Sequence, residues 1–593
     1  MRNQVRRSGH TRHEKFVPLR FHHTESRMKF RSTKLNALIL ASCMAVMLMA
    51  GTPIFAQSSA DVTPGTMHER QGDKIPANIE KQLRQMQRQI ERQQEEIDQL
   101  KKQLQGPGRQ PQEAGKTAQQ IQPIPPVVEA IREKPRQTVV QPDGIHYKGI
   151  AISPKGSFIE GATVYRSAAT GGGINTPLTG IPLQHSDAAQ MSEFYGSGRQ
   201  SRVALKATGR LDRMTLTGYF EADWLGTGST SNNNQSNSYV LRQRQLWLRS
   251  AMDNGWAVSV GEMWSLVTET AEGESNGTEV PPSTIDPQFT AGFTWARQYG
   301  FRVAKGFKNK FWLGASAENP QTLNPAGSAL PTNLVIGSSG NSGGLHNPTA
   351  NYSFNLAPDM IAKAVLEPGW GHYEIFGLAR FFRDRIYPAT GPPYNDSTVA
   401  GGIGGGIRAP LANKKITLGL KGLWGGGVGR YGDSAIADIT LRPDGSISPL
   451  HAFSALATLE YYPTKRLNIW SNYGGDYVGR DYVGNVGYGT PLTDMSGCNT
   501  EPPPGTSPVN GASSGFSPSN PNDCGGNNKD VQELSVGYWF RFYDGAKGGL
   551  RQGIQYSRFR RDLWSGAGGT TNPGGGAYGT DNAVWTSFRY FLP

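Results

Sequence analysis

The chain is poor in three things that most large enzymes have. It holds only 3 cysteines in 593 residues. Charged residues make up 18% of it, against roughly 25% in an average domain. Hydrophobic residues make up 36%, where average usage including Gly is roughly 45–50%. Few aliphatics and few charges argue against a large helical or α/β core. From Gly149 onward no ten-residue segment keeps a helical period, and no segment after the N-terminal region is apolar enough for a membrane-spanning helix. Histidine is sparse as well. After residue 56 only His68, His146, His185, His346, His372 and His451 remain, scattered and without HExxH or other ligand spacing, so a metal centre is not expected.

What is abundant is glycine, 75 residues, with 10% aromatics. That combination suits many β-strands joined by Gly-rich connections. The formal net charge of +13 is concentrated at the start, because residues 1–56 carry 10 Lys and Arg against 2 Asp and Glu. The remainder balances to +5, which removes the main support for nucleic-acid binding.

Lys29, Arg31 and Lys34 precede an uncharged apolar run from Leu35 to Ala50, followed by Gly51-Thr52-Pro53-Ile54-Phe55-Ala56. This is the layout of a secretory signal peptide over 1–56, cut after Ala56, with Met28 as an alternative start. Cys43 falls inside it. Cys498 and Cys524, 26 residues apart in an exported chain, are expected to form one disulfide.

A short segment, 57–78, leads into heptads over 79–105. Leu83, Ile90, Ile97 and Leu104 occupy a positions, and Ile79, Met86, Gln93 and Leu100 occupy d positions. Nearly four heptads in register predict a self-associating coiled coil, since a lone helix of this length is marginal in water. Residues 106–145, with Pro123-Ile124-Pro125-Pro126 at their centre, form an extended linker.

Over 146–593 segments of about ten residues alternate in polarity, as in Met214 to Leu225 and Gln532 to Phe542. Alternation alone also fits a soluble sandwich. The connections decide between the two. Short turns near 211–213, 253–255, 308–310, 368–371, 412–414, 463–465 and 544–545 alternate with long polar loops near 168–199, 226–237, 268–290, 320–357, 385–398, 426–450, 481–529 and 565–580. Fifteen connections imply sixteen strands, provided that Pro443-Asp444-Gly445 turns within the sixth loop. An even strand number with short turns on one side and long loops on the other is the plan of an all-β transmembrane barrel in the outer membrane. Such a barrel surrounds a water-filled channel.

Strand parity places several bases on inward faces: Arg202, Lys206, Arg242, Arg244, Arg541 and Arg589. A file of such groups along a wet wall attracts carboxylates or phosphates. Arginines of this kind also pair structurally with wall acids such as Glu221 and Asp223. The third long loop carries Glu269, Glu272, Glu274, Glu279 and Asp286; if it folds inward, its acids face the wall bases across a constriction. Gly511-Ala512-Ser513-Ser514-Gly515 spells the nucleophile elbow of hydrolases, but lies in a Pro/Ser/Asn-rich loop instead of between strand and helix. Gly427-Val428-Gly429-Arg430-Tyr431-Gly432 has dinucleotide-loop spacing with no helix to follow. No enzyme activity and no cofactor are therefore expected.

The order of these parts, with Leu241-Arg242-Gln243-Arg244, Gly261-Glu262-Met263-Trp264-Ser265, Glu318-Asn319-Pro320-Gln321 and the Gly401–Gly406 run, resembles the DcaP-like outer-membrane porins. The resemblance implies a homotrimer of sixteen-stranded barrels in outer-membrane lipid, a periplasmic coiled coil, and uptake of dicarboxylates or similar small anions. Arg242 and Arg244 would then line the lumen. The alternatives are a phosphate-selective or general porin, and an envelope tether whose coiled coil binds the cell wall.

Overall fold

The computed structural model describes residues 144–593, apart from 227–230, 232, 234–236, 326–329, 338–352, 496, 499–523 and 568–575. The signal sequence, the heptads and nearly all of the linker lie outside the described residues. Twenty strands form the main sheet. Four are short pieces, Ile145–Tyr147, Ile150–Ser153, Glu193–Ser197 and Leu334–Val335, and the other sixteen form the wall. The first eight are β1 Phe158–Arg166, β2 Arg202–Leu211, β3 Met214–Gly226, β4 Val240–Met252, β5 Trp256–Trp264, β6 Arg297–Phe307, β7 Phe311–Glu318 and β8 Asp359–Leu366. The rest are β9 His372–Ile386, β10 Tyr394–Leu411, β11 Ile416–Gly426, β12 His451–Tyr461, β13 Leu467–Val478, β14 Asn528–Gly545, β15 Gly548–Leu563 and β16 Tyr578–Phe591. Each pairs antiparallel with the next, and β16 pairs with β1 from Phe591↔Phe158 to Ala583↔Arg166, closing the barrel.

Closure is what the solvent demands. In lipid an open sheet edge would leave peptide groups unpaired, and a barrel has no edge. The side chains follow the same logic, inverted from a soluble protein. Leu246, Leu248, Ile375, Leu420 and Trp424 are exposed on the outer face, while Arg380, Lys363, Glu374, Lys421 and Arg561 are buried inside. Several of the interior charges are paired. Lys363 and Lys421 flank Glu374 at 2.6 and 2.7 Å, and Arg380 lies 2.7 Å from Asp438 and 3.2 Å from Asp359.

The connections alternate as expected. The fifth loop is shorter than its polarity suggests, because β9 runs on to Ile386 and β10 starts at Tyr394, paired up to Ile386↔Tyr394. Pro443-Asp444-Gly445 turns inside the sixth loop, between the paired segments Ile439–Leu441 and Ile447–Pro449. Cys498 and Cys524 are joined in a disulfide with Cα atoms 4.8 Å apart.

Candidate solute path

The third loop, 265–296, folds into the barrel. Its neck is closed by the Ser265 amide donating to the Ala296 carbonyl at 2.8 Å. From there the wall holds it at successive points. Lys421 Nζ and Lys363 Nζ donate to the Val267 and Thr268 carbonyls at 2.7 and 2.9 Å. Arg408 Nε bonds Glu269 at 2.6 Å. Further along, Ser283 Oγ donates to Glu460 at 2.6 Å, and Trp539 Nε1 donates to the Ser283 carbonyl at 2.8 Å. The Ile285 amide donates to Gln555 at 2.5 Å, the Ala291 amide to Glu533 at 2.9 Å, and the Gly292 amide to Asp476 at 3.1 Å. Buried amides need such acceptors once water is excluded. Gly292 adopts φ +84°, and a Cβ there would collide with the Ala455 carbonyl, so only glycine seats the loop this close to the wall.

Between the 281–289 stretch of this loop and the wall lies a cavity of about 300 Å³. Pro281, Pro282, Asp286 and Phe289 face it from the loop. Arg202, Arg541, Arg551 and Arg589, with Phe158 and Trp539, face it from β1, β2 and β14–β16. Five guanidinium groups, Arg244 being the fifth, therefore share this cavity with one carboxylate from the loop, Asp286, and one from the wall, Asp223.

The arginines differ in how free they are. Arg589 is tied down: its Nε lies 2.8 Å from Glu160, and it donates to Gln200 at 3.3 Å and to the Ile285 carbonyl. Arg202 stacks over Phe158 at 5.1 Å, with Glu221 3.9 Å away. Arg541 has Asp544 at 3.5 Å. Arg551 stacks over Phe591 at 4.4 Å and forms no ion pair among the described residues. It is not among the expected lumen bases, although the outward run Leu550, Ile554, Tyr556 gives it inward parity.

Arg242 and Arg244 are committed to acids. Arg242 grips Asp223 through two bonds of 3.0 and 2.8 Å. Arg244, 1% exposed, bonds Glu221, Asp223 at 2.8 Å and Gln288 of the third loop at 2.8 Å. A register shift opposite Glu221 and Ala222 puts Arg244 and Gln245 inward in succession. Arg244 thus borders the cavity as a brace between wall and loop. Lys206, half-buried on the inward face of β2, does not line it.

The four glutamates lie away from this passage. Glu269 pairs with Arg408, Glu272 is exposed, Glu274 is buried with no hydrogen-bond partner for either oxygen among the described residues, and Glu279 accepts the Gly277 amide at 2.9 Å. Burial pushes the carboxyls of Glu274, Glu279 and Asp286 up to about 7, and neighbouring bases only partly oppose it.

No family model and no curated protein matches the sequence. Among solved structures the fold is similar to the outer membrane channel DcaP of Acinetobacter baumannii, at TM-score 0.50 and 15% identity, covering 75% of this chain and 99% of that one. The anion-selective porin from Comamonas acidovorans aligns at TM-score 0.37 and 10% identity over 74% of this chain and 99% of that one. OprB of Pseudomonas putida aligns at TM-score 0.39 and 12% identity over 74% and 94%. The resemblance to the DcaP-like porins therefore holds for the barrel fold.

Proposed function

We propose that this chain is an outer-membrane porin through which small hydrophilic anions, such as dicarboxylates, diffuse down their gradients. The observation that carries this reading is the passage itself. Arg202, Arg541, Arg551 and Arg589 converge on one cavity opposite the third loop. A guanidinium offers a carboxylate two parallel donors, and the low-dielectric walls concentrate the field in the gap. Arg551, Arg541 and Arg202 are the groups with the most donor capacity left for a solute. Arg244 acts as a positioning residue that sets the loop against the wall through Gln288, and Arg242 holds the Asp223 that Arg244 also bonds. The same bases would serve phosphate, so a phosphate-selective channel is the second reading. The homotrimer and the periplasmic coiled coil belong to the proposal through the heptads of 79–105.

The test is reversal potential in a planar bilayer under a KCl gradient, repeated with succinate and with phosphate. Chloride selectivity with a succinate block that Arg551→Ala weakens supports the proposal. Cation selectivity, or folded protein that forms no channel, overturns it. A stronger block by phosphate moves the assignment to the second reading.

A further inference from the structure

At the far end of the barrel from the short turns, two aspartates oppose each other. Asp384 on β9 and Asp396 on β10 are direct partners in the antiparallel register. Both side chains therefore leave the sheet on the same face, with Cβ atoms about 4.5–5.5 Å apart in such pairs. That face is the inner one, because Phe382 and Ile386, two residues either side of Asp384, are buried, while Val399 of β10 is exposed with the opposite parity. Like charges set opposite each other on a sheet repel.

Asp384 is 2% exposed, and among the described residues neither of its carboxylate oxygens has a hydrogen-bond partner. The charges that reach it are those of Asp396 and of Asp444, at the tip of the sixth-loop hairpin. The nearby bases are turned elsewhere. Arg383 and Arg385 carry the opposite strand parity, and Arg385 donates to Asn395 at 2.9 Å. Arg442 of the hairpin reaches Ser448 at 3.2 Å and Asp481 at 3.9 Å. The barrel segments outside the described residues contain no lysine or arginine that could supply a counter-charge. A buried, unpaired carboxylate beside a second and a third is strongly unfavourable unless a cation or a proton joins it.

We infer that Asp384 and Asp396 bind a divalent cation of the Ca²⁺ type at the outer mouth of the barrel. Oxygen ligands at about 2.3–2.6 Å from the ion suit two carboxylates separated in this way, and Ca²⁺ tolerates irregular shells where Mg²⁺ requires a near-ideal octahedron. No three Asp, Glu, His or Cys side chains among the described residues come together as a ready ligand set. Main-chain oxygens and water therefore complete the shell, and the affinity falls in the range of extracellular calcium modules, Kd about 10⁻⁴–10⁻³ M. The ion does structural work there. The other contact of Asp396 is the Ile447 amide, which donates to its carboxylate at 3.0 Å. Ile447 packs with Phe382, Ile439 and Leu441. An ion between the two strands thus fixes the sixth-loop hairpin against the wall.

The experiment uses full-length protein refolded in detergent free of lipopolysaccharide, stripped with EDTA and titrated with CaCl₂. Isothermal titration should give one site in the Kd range above, and the melting temperature should rise by several degrees at saturation. Asp384→Asn with Asp396→Asn keeps the shape, removes the charges, and should lose both signals. Should the double variant not fold, Asp384→Asn alone should weaken binding at least tenfold. A melting temperature unchanged by calcium, or a calcium response undiminished in the variants, overturns the site. So does a calcium-insensitive protein whose stability falls as pH rises and whose pH response disappears in Asp384→Asn, because the pair would then share a proton.

Discussion

Arg589 and Glu160 face each other across the seam where β16 closes on β1, with Arg589 Nε 2.8 Å from the Glu160 carboxylate. One ion pair thus joins the barrel closure to the cavity. Glu160 is fully buried at this bond, and the far end of the guanidinium reaches the third loop and the cavity. Removing the base leaves a buried carboxylate without its partner, which costs about 3–5 kcal/mol. Arg589→Met should lower the melting temperature and reduce chloride selectivity together. Arg589→Met with Glu160→Gln should recover most of the stability while the selectivity stays reduced, as thermal melts and bilayer recordings on the same preparations would show.

Arg551 should behave differently, because no carboxylate among the described residues pairs with it. It lines the same cavity and stacks on Phe591. Arg551→Ala should leave the melting temperature nearly unchanged. Succinate should bind about ten- to a hundredfold more weakly, as expected from losing a charged hydrogen bond worth about 1.5–3 kcal/mol. Noise analysis of succinate-blocked current measures this directly. An unchanged block would place the solute elsewhere.

The passage should also respond to pH near neutrality. Burial holds the Asp286 carboxyl up at about 7, and Asp286 faces the arginines across the gap. Below that value the acid is neutral and the arginines face one negative charge fewer. Above it the acid is charged and cancels part of their field. Anion selectivity should therefore be highest at acidic pH and decline as pH rises through about 7. Asp286→Asn should keep the acidic-side selectivity at all pH values. Reversal potentials taken across this range would reveal a profile of the opposite slope.

Much of the barrel is legible in the sequence because lipid imposes strict rules. Each strand must alternate, each connection must be a short turn or a polar loop, and the count must close. Even the Pro443-Asp444-Gly445 turn follows from that count. The passage is less legible. Inward parity names Arg202, Arg541 and Arg589, which line the cavity beside the third loop, but it treats Arg242 and Arg244 as equals of these. What separates them is the register shift on β4 and the proximity of Asp223, Glu221 and Gln288. The path of the third loop rests on contacts such as Ile285 with Gln555, separated by 270 residues. No local pattern encodes such a contact, so the acids that look prominent on the loop, Glu269 to Glu279, are not the one that reaches the passage.

The seating of that loop gives the last prediction. Gly292 adopts φ +84° with the Ala455 carbonyl and the Gly475 amide standing where a Cβ would project, and its own amide bonds Asp476. Any side chain there meets backbone on two strands, which cannot retreat without breaking the β12–β13 ladder. The loop must yield instead. Gly292→Ala should lift the 285–295 segment from the wall and release the amides that Gln555, Glu533 and Asp476 accept. The barrel ladder is untouched by this, so the variant should still fold and resist heat-induced unfolding in detergent. Its single-channel conductance should change and become noisier, and its anion selectivity should fall because the loop no longer presses the passage against Arg541 and Arg551. Asp476→Asn offers a milder form of the same release, since an amide oxygen still accepts the Gly292 bond while the charge is lost. Its conductance should lie between wild type and Gly292→Ala. An ordering with Asp476→Asn beyond Gly292→Ala would mean that the charge of the wall acid, and not the close approach at Gly292, holds the loop in place.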